Sequence, residues 1–250
     1  MKVWIGTSGY NYPEWRGSFY PDKLPAAKML SYYAERFSSV EINNTFYRMP
    51  SAPVLLGWTD ATPQQFKLTL KAPKRITHQA RLRDCASALD YFMKLAVTLG
   101  PKRGAALFQL PPFLRRDLGL LDAFLTTLPP DSGAAFEFRH ASWFDDELYT
   151  LLARHGVALC VADSEKLSTP VQITASYAYF RLRDEGYQET DIERWAQIIA
   201  TRAAHCHDVF VYFKHEESGK GPAFARLLQQ ALGSDTAPTP QRTCAEAARC

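Results

Sequence analysis

Short apolar runs recur along the chain. Each is followed by a polar loop and then by apolar positions spaced three and four apart. Eight runs have the length and the β-branched or aromatic content of strands: residues 3–6, 40–43, 66–71, 105–110, 135–138, 157–162, 177–182 and 209–213. Several, such as VALCVA and VFVYF, are apolar almost continuously, the pattern of parallel strands covered by helices. Three amphipathic helices stand out between them. After Asp84, apolar residues fall at Cys85, Ala88, Leu89, Phe92, Leu95, Ala96 and Leu99, with Asp84 as the predicted N-cap and Gly100-Pro101 as the stop. A second helix is predicted to open at Asp191 and turn Ile192, Trp195, Ile198 and Ile199 inward. A third starts near Gly221-Pro222, with Phe224, Leu227, Leu228 and Leu232 inward. Weaker helical patterns cover residues 25–36, 53–61, 118–128 and 145–154, and residues 164–176 carry little helical signal.

This alternation predicts an α/β fold, a single (β/α)8 barrel of the TIM type with a degenerate unit between strands six and seven. A doubly wound open sheet is the main alternative. The turn after the first strand, GTSGYNYPEW, carries neither the G-x-G-x-x-G nor the P-loop spacing such a sheet usually shows. The barrel is expected over residues 1–232. Residues 233–250 are rich in Ala, Thr and Pro without periodicity and are expected to form a flexible tail.

In such a barrel the side chains at the carboxyl ends of the strands face the active site. Polar residues gather there. Strand one ends in Thr7-Ser8. Strand two carries Glu41 and Asn43, two apart and so on one face. Strand three ends at Lys71 and strand four carries Gln109. Strand five carries Glu137 and Arg139, then His140. Strand six ends at Asp163, strand seven carries Arg181, and strand eight ends at Lys214-His215. Core packing does not place Glu, Lys, Gln, Arg and Asp at one end of otherwise apolar strands. Ion pairs across the barrel mouth, such as Glu41 or Glu137 with Lys71, Arg139 or Arg181, are the plainer explanation for any one of them. The set as a whole predicts a pocket. Glu41 and Glu137 are the candidate acid and base, with Lys71 and Asp163 as further catalytic candidates. A desolvated Lys71 would also suit imine chemistry. Ser8, Tyr10, Asn43, Tyr47, Gln109, Arg139, His140, Arg181 and Lys214 are candidate substrate contacts. Gly219 and Gly221, before the last helix, are candidates for a phosphate-binding turn. Glu41, Glu137, His140, Asp163 and His215 leave a metal open, and no cofactor is named by the sequence.

Composition refines this picture. Of 250 residues, 46% are apolar and 22% charged, as in ordinary globular proteins. No run approaches the ~20 apolar residues needed to span a bilayer. The opening MKVWIGTSGY does not read as a signal peptide, and five cysteines without a CxxC pair suit reduced thiols; a cytoplasmic location is expected. A net charge of +3 is too small to announce a nucleic-acid binder, yet residues 67–83 hold six Lys/Arg and no acid.

Several ordered motifs resemble the YecE-like family, domain of unknown function 72. They are IGTSGYNYPEW (5–15), Phe19-Tyr20-Pro21, SSVEINNTFYRMPS (38–51), FKLTLKAPKRITH (66–78), LFQLPPF (107–113), FEFRHASWF (136–144), VADS (161–164) and YFRLR (179–183). The resemblance implies a TIM-type barrel with these motifs on one face, and no known reaction. It adds Gly6, Trp15, Phe46, His78 and Trp143 to the positions of interest. The chain departs from the resemblance at Arg183, where His-Gly is common, and at Lys214-His215-Glu216. The expected function is an enzyme, a hydrolase or lyase, acting on a small anionic substrate that carries a phosphate or sugar. The alternatives are a nucleic-acid-binding protein using Arg75, Arg81, Arg83, Arg115 and Arg116 as a basic rim, and a barrel that binds a metabolite without turnover.

Overall fold

All eight predicted strands form, each within two residues of its expected bounds: β1 (Lys2–Thr7), β2 (Ser39–Ile42), β3 (Lys67–Lys71), β4 (Arg103–Gln109), β5 (Ala134–Glu137), β6 (Ala158–Asp163), β7 (Tyr177–Leu182) and β8 (Asp208–Phe213). The computed structural model describes residues 1–164, 166–215 and 219–233. The expected tail, from Ser234 on, lies outside the described residues. The strands pair in parallel in the order β1-β8-β7-β6-β5-β4-β3-β2. The result is a nearly closed TIM-like barrel.

The eighth junction, between β1 and β2, is not a ladder. One parallel bridge joins Ser8 to Glu41, and the Gly9 N–H donates to the Glu41 carbonyl at 2.8 Å. Elsewhere along the seam side chains replace strand pairing. Tyr33 of helix α1 (Met29–Ala34) enters the gap. Its hydroxyl accepts the Thr7 N–H at 2.7 Å and lies 3.1 Å from the Ser39 carbonyl, to which it donates. Ser38 Oγ accepts the Ile5 N–H at 3.2 Å. Gly6 makes the close approach possible, because a Cβ there would sit 1.9 Å from the Ser39 carbonyl oxygen.

The other helices are α2 (Asn44–Tyr47), α3 (Ala52–Asp60), α4 (Ala86–Val97), α5 (Leu118–Leu125), α6 (Asp146–Arg154), α7 (Glu189–Arg202) and α8 (Lys220–Ala231). Asp117 and Asp145 cap α5 and α6, accepting the Leu120 and Leu148 N–H groups, each at 2.9 Å. Two expected starts are corrected. Asp84 does not cap α4: it has φ 45°, and Cys85 occupies the cap position. Helix α7 opens before Asp191, which instead accepts the Gln188 N–H at 3.0 Å within the first turn. Among the described residues no helix lies between β6 and β7, matching the degenerate unit. No helix among them is long and apolar enough to cross a membrane.

Strand periodicity sorts the core into two clusters. Outward residues such as Val40, Leu68, Phe108, Phe136, Phe180 and Val211 pack under the helices. Inward residues form a smaller cluster, in which Ala105, Ala135, Ala158 and Cys160 on β4–β6 are matched by Tyr179, Phe210 and Tyr212 on β7–β8. Tyr212 Oη reaches Thr69 Oγ1 at 2.8 Å across the interior. Above this floor the inward positions turn polar, and those residues build the site.

Candidate functional site

Arg181, inward on β7, is the hub. Its Nε lies 3.1 Å from Glu41 Oε2 and its Nη2 lies 3.0 Å from Glu41 Oε1, while its Nη1 reaches Glu137 Oε2 at 2.9 Å. Arg181, Glu41 and Glu137 are each at most 1% exposed. Glu41 also accepts from Tyr179 Oη at 2.6 Å and from the Ser8 hydroxyl. Glu137 accepts the Gln109 amide at 2.9 Å on both oxygens, and Arg183 Nη1 at 3.3 Å. Buried charges persist only when paired and hydrogen-bonded, and here the carboxylate oxygens are saturated with donors.

The Glu41 carboxylate orders its neighbours in turn. Ser8 must donate to it, so the Ser8 oxygen accepts from Arg181 Nη2 at 3.1 Å and from Asn43 Nδ2 at 2.8 Å. That fixes the Asn43 amide and leaves its buried Oδ1 without a donor. Gln109 has an analogous place between Glu137 and Lys71. Its amide nitrogen serves the carboxylate, and its carbonyl accepts Lys71 Nζ at 2.9 Å. Phe46 lies against the same amine, 4.4 Å from Nζ to the ring centroid.

The protonation states follow. Burial works to raise the pKa of both carboxylates, but the Arg181 charge and the donors around them outweigh it. Glu41 is held low, and Glu137, with Arg183 and Lys71 also beside it, is pulled down to about 2. Burial lowers Lys71 to about 8, helped by Arg181 and Lys214 and opposed by Glu41 and Glu137. Burial and the nearby Lys71 and Arg139 charges lower His78. Arg139 is lowered by burial, with Glu137 opposing and Arg183 and Arg181 assisting. Among the described residues, this set holds two carboxylates, Glu41 and Glu137, against four cations, Lys71, Arg139, Arg181 and Arg183, with Lys214 near enough to act on Lys71.

The structure therefore brings together Ser8, Glu41, Asn43, Lys71, Gln109, Glu137 and Arg181 by direct contact, with Arg139 and Lys214 coupled through space. Other candidates lie apart. Asp163 accepts from Tyr187 Oη at 2.7 Å and Ser168 Oγ at 3.0 Å, toward the β6–β7 side of the rim. His140 caps a short turn, its Nδ1 accepting the Ser142 N–H at 3.1 Å. Tyr47 is 71% exposed on the rim. Tyr10 is half-buried near Tyr33, with ring centroids 6.3 Å apart. Gly219 has φ 70°, and Gly221 packs so tightly that a Cβ would lie 2.9 Å from the His215 carbonyl oxygen. Both glycines thus serve the close seating of α8; Ser218, just before them, lies outside the described residues. No group of three His, Cys, Asp or Glu among the described residues is placed to hold a metal ion.

Tyr179, Arg183 and the α1 residue Tyr33 were not singled out by residue reasoning. Tyr179 stands two before Arg181, so the period of two points it at Glu41. Arg183 stands two after, at the mouth.

A parallel eight-stranded barrel with a buried, charge-saturated cluster at the carboxyl ends of its strands belongs to the TIM-type proteins. Residues 4–247 match the family model described as protein of unknown function DUF72, and the chain belongs to that family. It is 33% identical to UPF0759 protein YecE of Escherichia coli K12 over 168 residues, 65% of this chain and 59% of that protein's length. It is 25% identical to UPF0759 protein YunF of Bacillus subtilis over 270 residues, 92% of this chain and 94% of that protein. The fold superposes on a DUF72 family protein from Thermotoga maritima with a TM-score of 0.84 and 26% identity, covering 93% of this chain and 100% of that one. A DUF72 family protein from Enterococcus faecalis gives a TM-score of 0.79 at 16% identity, covering 92% and 95%.

Proposed function

We propose that the barrel mouth is a catalytic pocket for a small anionic substrate, bearing a phosphate or carboxylate. The observation that carries this reading is the charge imbalance. Glu41 and Glu137 are consumed by Arg181 and Arg183, so the remaining cations of this set, Lys71 and Arg139, are left for an anion from outside it to balance. The unpartnered Asn43 Oδ1 adds an acceptor for a hydroxyl or amine on the same substrate. In this reading Glu41 and Glu137 stay ionised and hold Arg181 in place. Proton transfer falls to Lys71 and His78, whose lowered pKa values suit it better. Titration calorimetry with inorganic phosphate, a sugar phosphate and the neutral sugar tests it. Binding of both anions, weakened at least tenfold by Arg139→Met, is expected. Absence of binding by either anion would remove the reading.

A second reading rests on the rim. Two large rings, Tyr47 and Phe113, are 71% and 61% exposed, and each lies beside a cation: Lys74 Nζ is 5.8 Å from the Tyr47 centroid, and the Arg81 guanidinium is 5.1 Å from that of Phe113. Exposed rings alternating with cations suit single-stranded nucleic acid. Of the five rim arginines, Arg83 pairs with Asp117, and Arg116 with Asp145 and Glu147, which leaves Arg75, Arg81 and Arg115 for phosphates. Salt-sensitive binding of an oligonucleotide, lost in Tyr47→Ala/Phe113→Ala, is the expected result. Equal affinity in that double variant would discard it.

A further inference from the structure

We propose that Lys71 forms a covalent imine with the carbonyl carbon of a small anionic aldehyde or ketone held at the barrel mouth. The proposal rests on the anion-pocket reading and names the substrate's reactive group. Lys71 ends β3 on the inward face and is 8% exposed, so it is dry yet reachable from the mouth. Its hydrogen-bond acceptor is the Gln109 amide carbonyl at 2.9 Å, not a carboxylate. Gln109 stands as a neutral spacer. It takes up both Glu137 oxygens and so keeps that carboxylate from pairing with the amine. The Phe46 ring, 4.4 Å from Nζ, covers one side with apolar surface.

A buried lysine without a carboxylate partner gives up its proton readily. With Lys71 near 8, about a tenth of it is the neutral nucleophile at pH 7. Arg139, which belongs to the same charged set, would hold the anionic end of the ligand next to it. His78 packs edge-on against the ring that covers Lys71, with centroids 4.9 Å apart, and burial together with the Lys71 charge keeps it neutral at that pH. The step balances without an outside reagent. The amine lone pair adds to the carbonyl carbon, and one N–H proton moves to the oxygen to give a carbinolamine. The C–O bond then breaks, the second N–H proton goes with it, and one water leaves as the C=N bond forms.

The test is reductive trapping on the full chain. The protein is incubated with dihydroxyacetone phosphate, pyruvate or the neutral ketone acetone in the presence of cyanoborohydride, and adducts are located by peptide mass spectrometry. Labelling of Lys71 at least ten times that of exposed Lys2 and Lys166 is expected with an anionic probe. It should be half-maximal near pH 8 and fall to the exposed level with acetone. Gln109→Glu places a carboxylate against the amine and should cut Lys71 labelling at pH 8 about tenfold, while circular dichroism reports whether that variant is folded. Labelling of Lys71 no greater than of the exposed lysines with both anionic probes overturns the proposal. If phosphate still binds by calorimetry in that case, the imine alone fails and the anion pocket stands.

Discussion

Arg181 meets Glu41 side-on, with Nε 3.1 Å from one carboxylate oxygen and Nη2 3.0 Å from the other, and still has Nη1 left to reach Glu137. One guanidinium thus bridges two carboxylates that arrive from β2 and β5, and Arg183 gives Glu137 a second cation. Replacing it by Met strands Glu41 in a dry interior and leaves Glu137 with Arg183 as its remaining ion-pair partner among the described residues. Arg181→Met should lower stability by about 3–5 kcal/mol at pH 7 in urea unfolding. In the variant both carboxyls should titrate higher than in the parent, readable by side-chain NMR, and Glu41 should rise more than Glu137, which keeps Arg183 and Lys71 beside it.

The same pair governs acid behaviour. Glu137 is near 2 in the fold and 4.5 when unfolded, so the unfolded chain binds the proton more readily between those values. The stabilisation is complete above about pH 5 and is lost as pH falls toward 2. A thermal melt series should show a falling Tm over that window, and the part due to this site should be absent from Glu137→Gln.

Tyr33→Phe removes the hydroxyl that serves the Thr7 N–H and the Ser39 carbonyl. Leaving those buried groups unmet should cost about 1–3 kcal/mol. Amide exchange at Thr7 should accelerate more than at Phe180, whose β7 ladder is intact on both sides.

Gly6→Ala should be worse. Its Cβ would overlap the Ser39 carbonyl at 1.9 Å, and backbone on both sides of the seam must shift. A loss of at least about 3 kcal/mol is expected by chemical denaturation, from strain together with the broken seam.

Strand positions and the polar strand ends were legible because both obey a period of two, and apolar runs such as VFVYF have few other uses. That periodicity also puts Glu41, Lys71, Gln109, Glu137 and Arg181 at the polar ends of their strands. It could not say which carboxylate meets which cation, since Glu41 and Arg181 are 140 residues apart and the pairing depends on barrel closure. Asp163 and His140 read as pocket residues from position alone. Local partners, Tyr187 with Ser168 and Ser142, draw them aside. Tyr33 left no trace in the pattern, because a buried helical tyrosine looks like any other core aromatic.

The tyrosine at the seam also bears on the order of assembly. Seven of the eight strand junctions can form by ladder alone, giving a curled ribbon with two free edges. The last junction waits for the first helix to dock and deliver its phenol. Until then the ribbon's edges remain open to pairing with a neighbouring chain, so aggregation during refolding should track how slowly that helix settles.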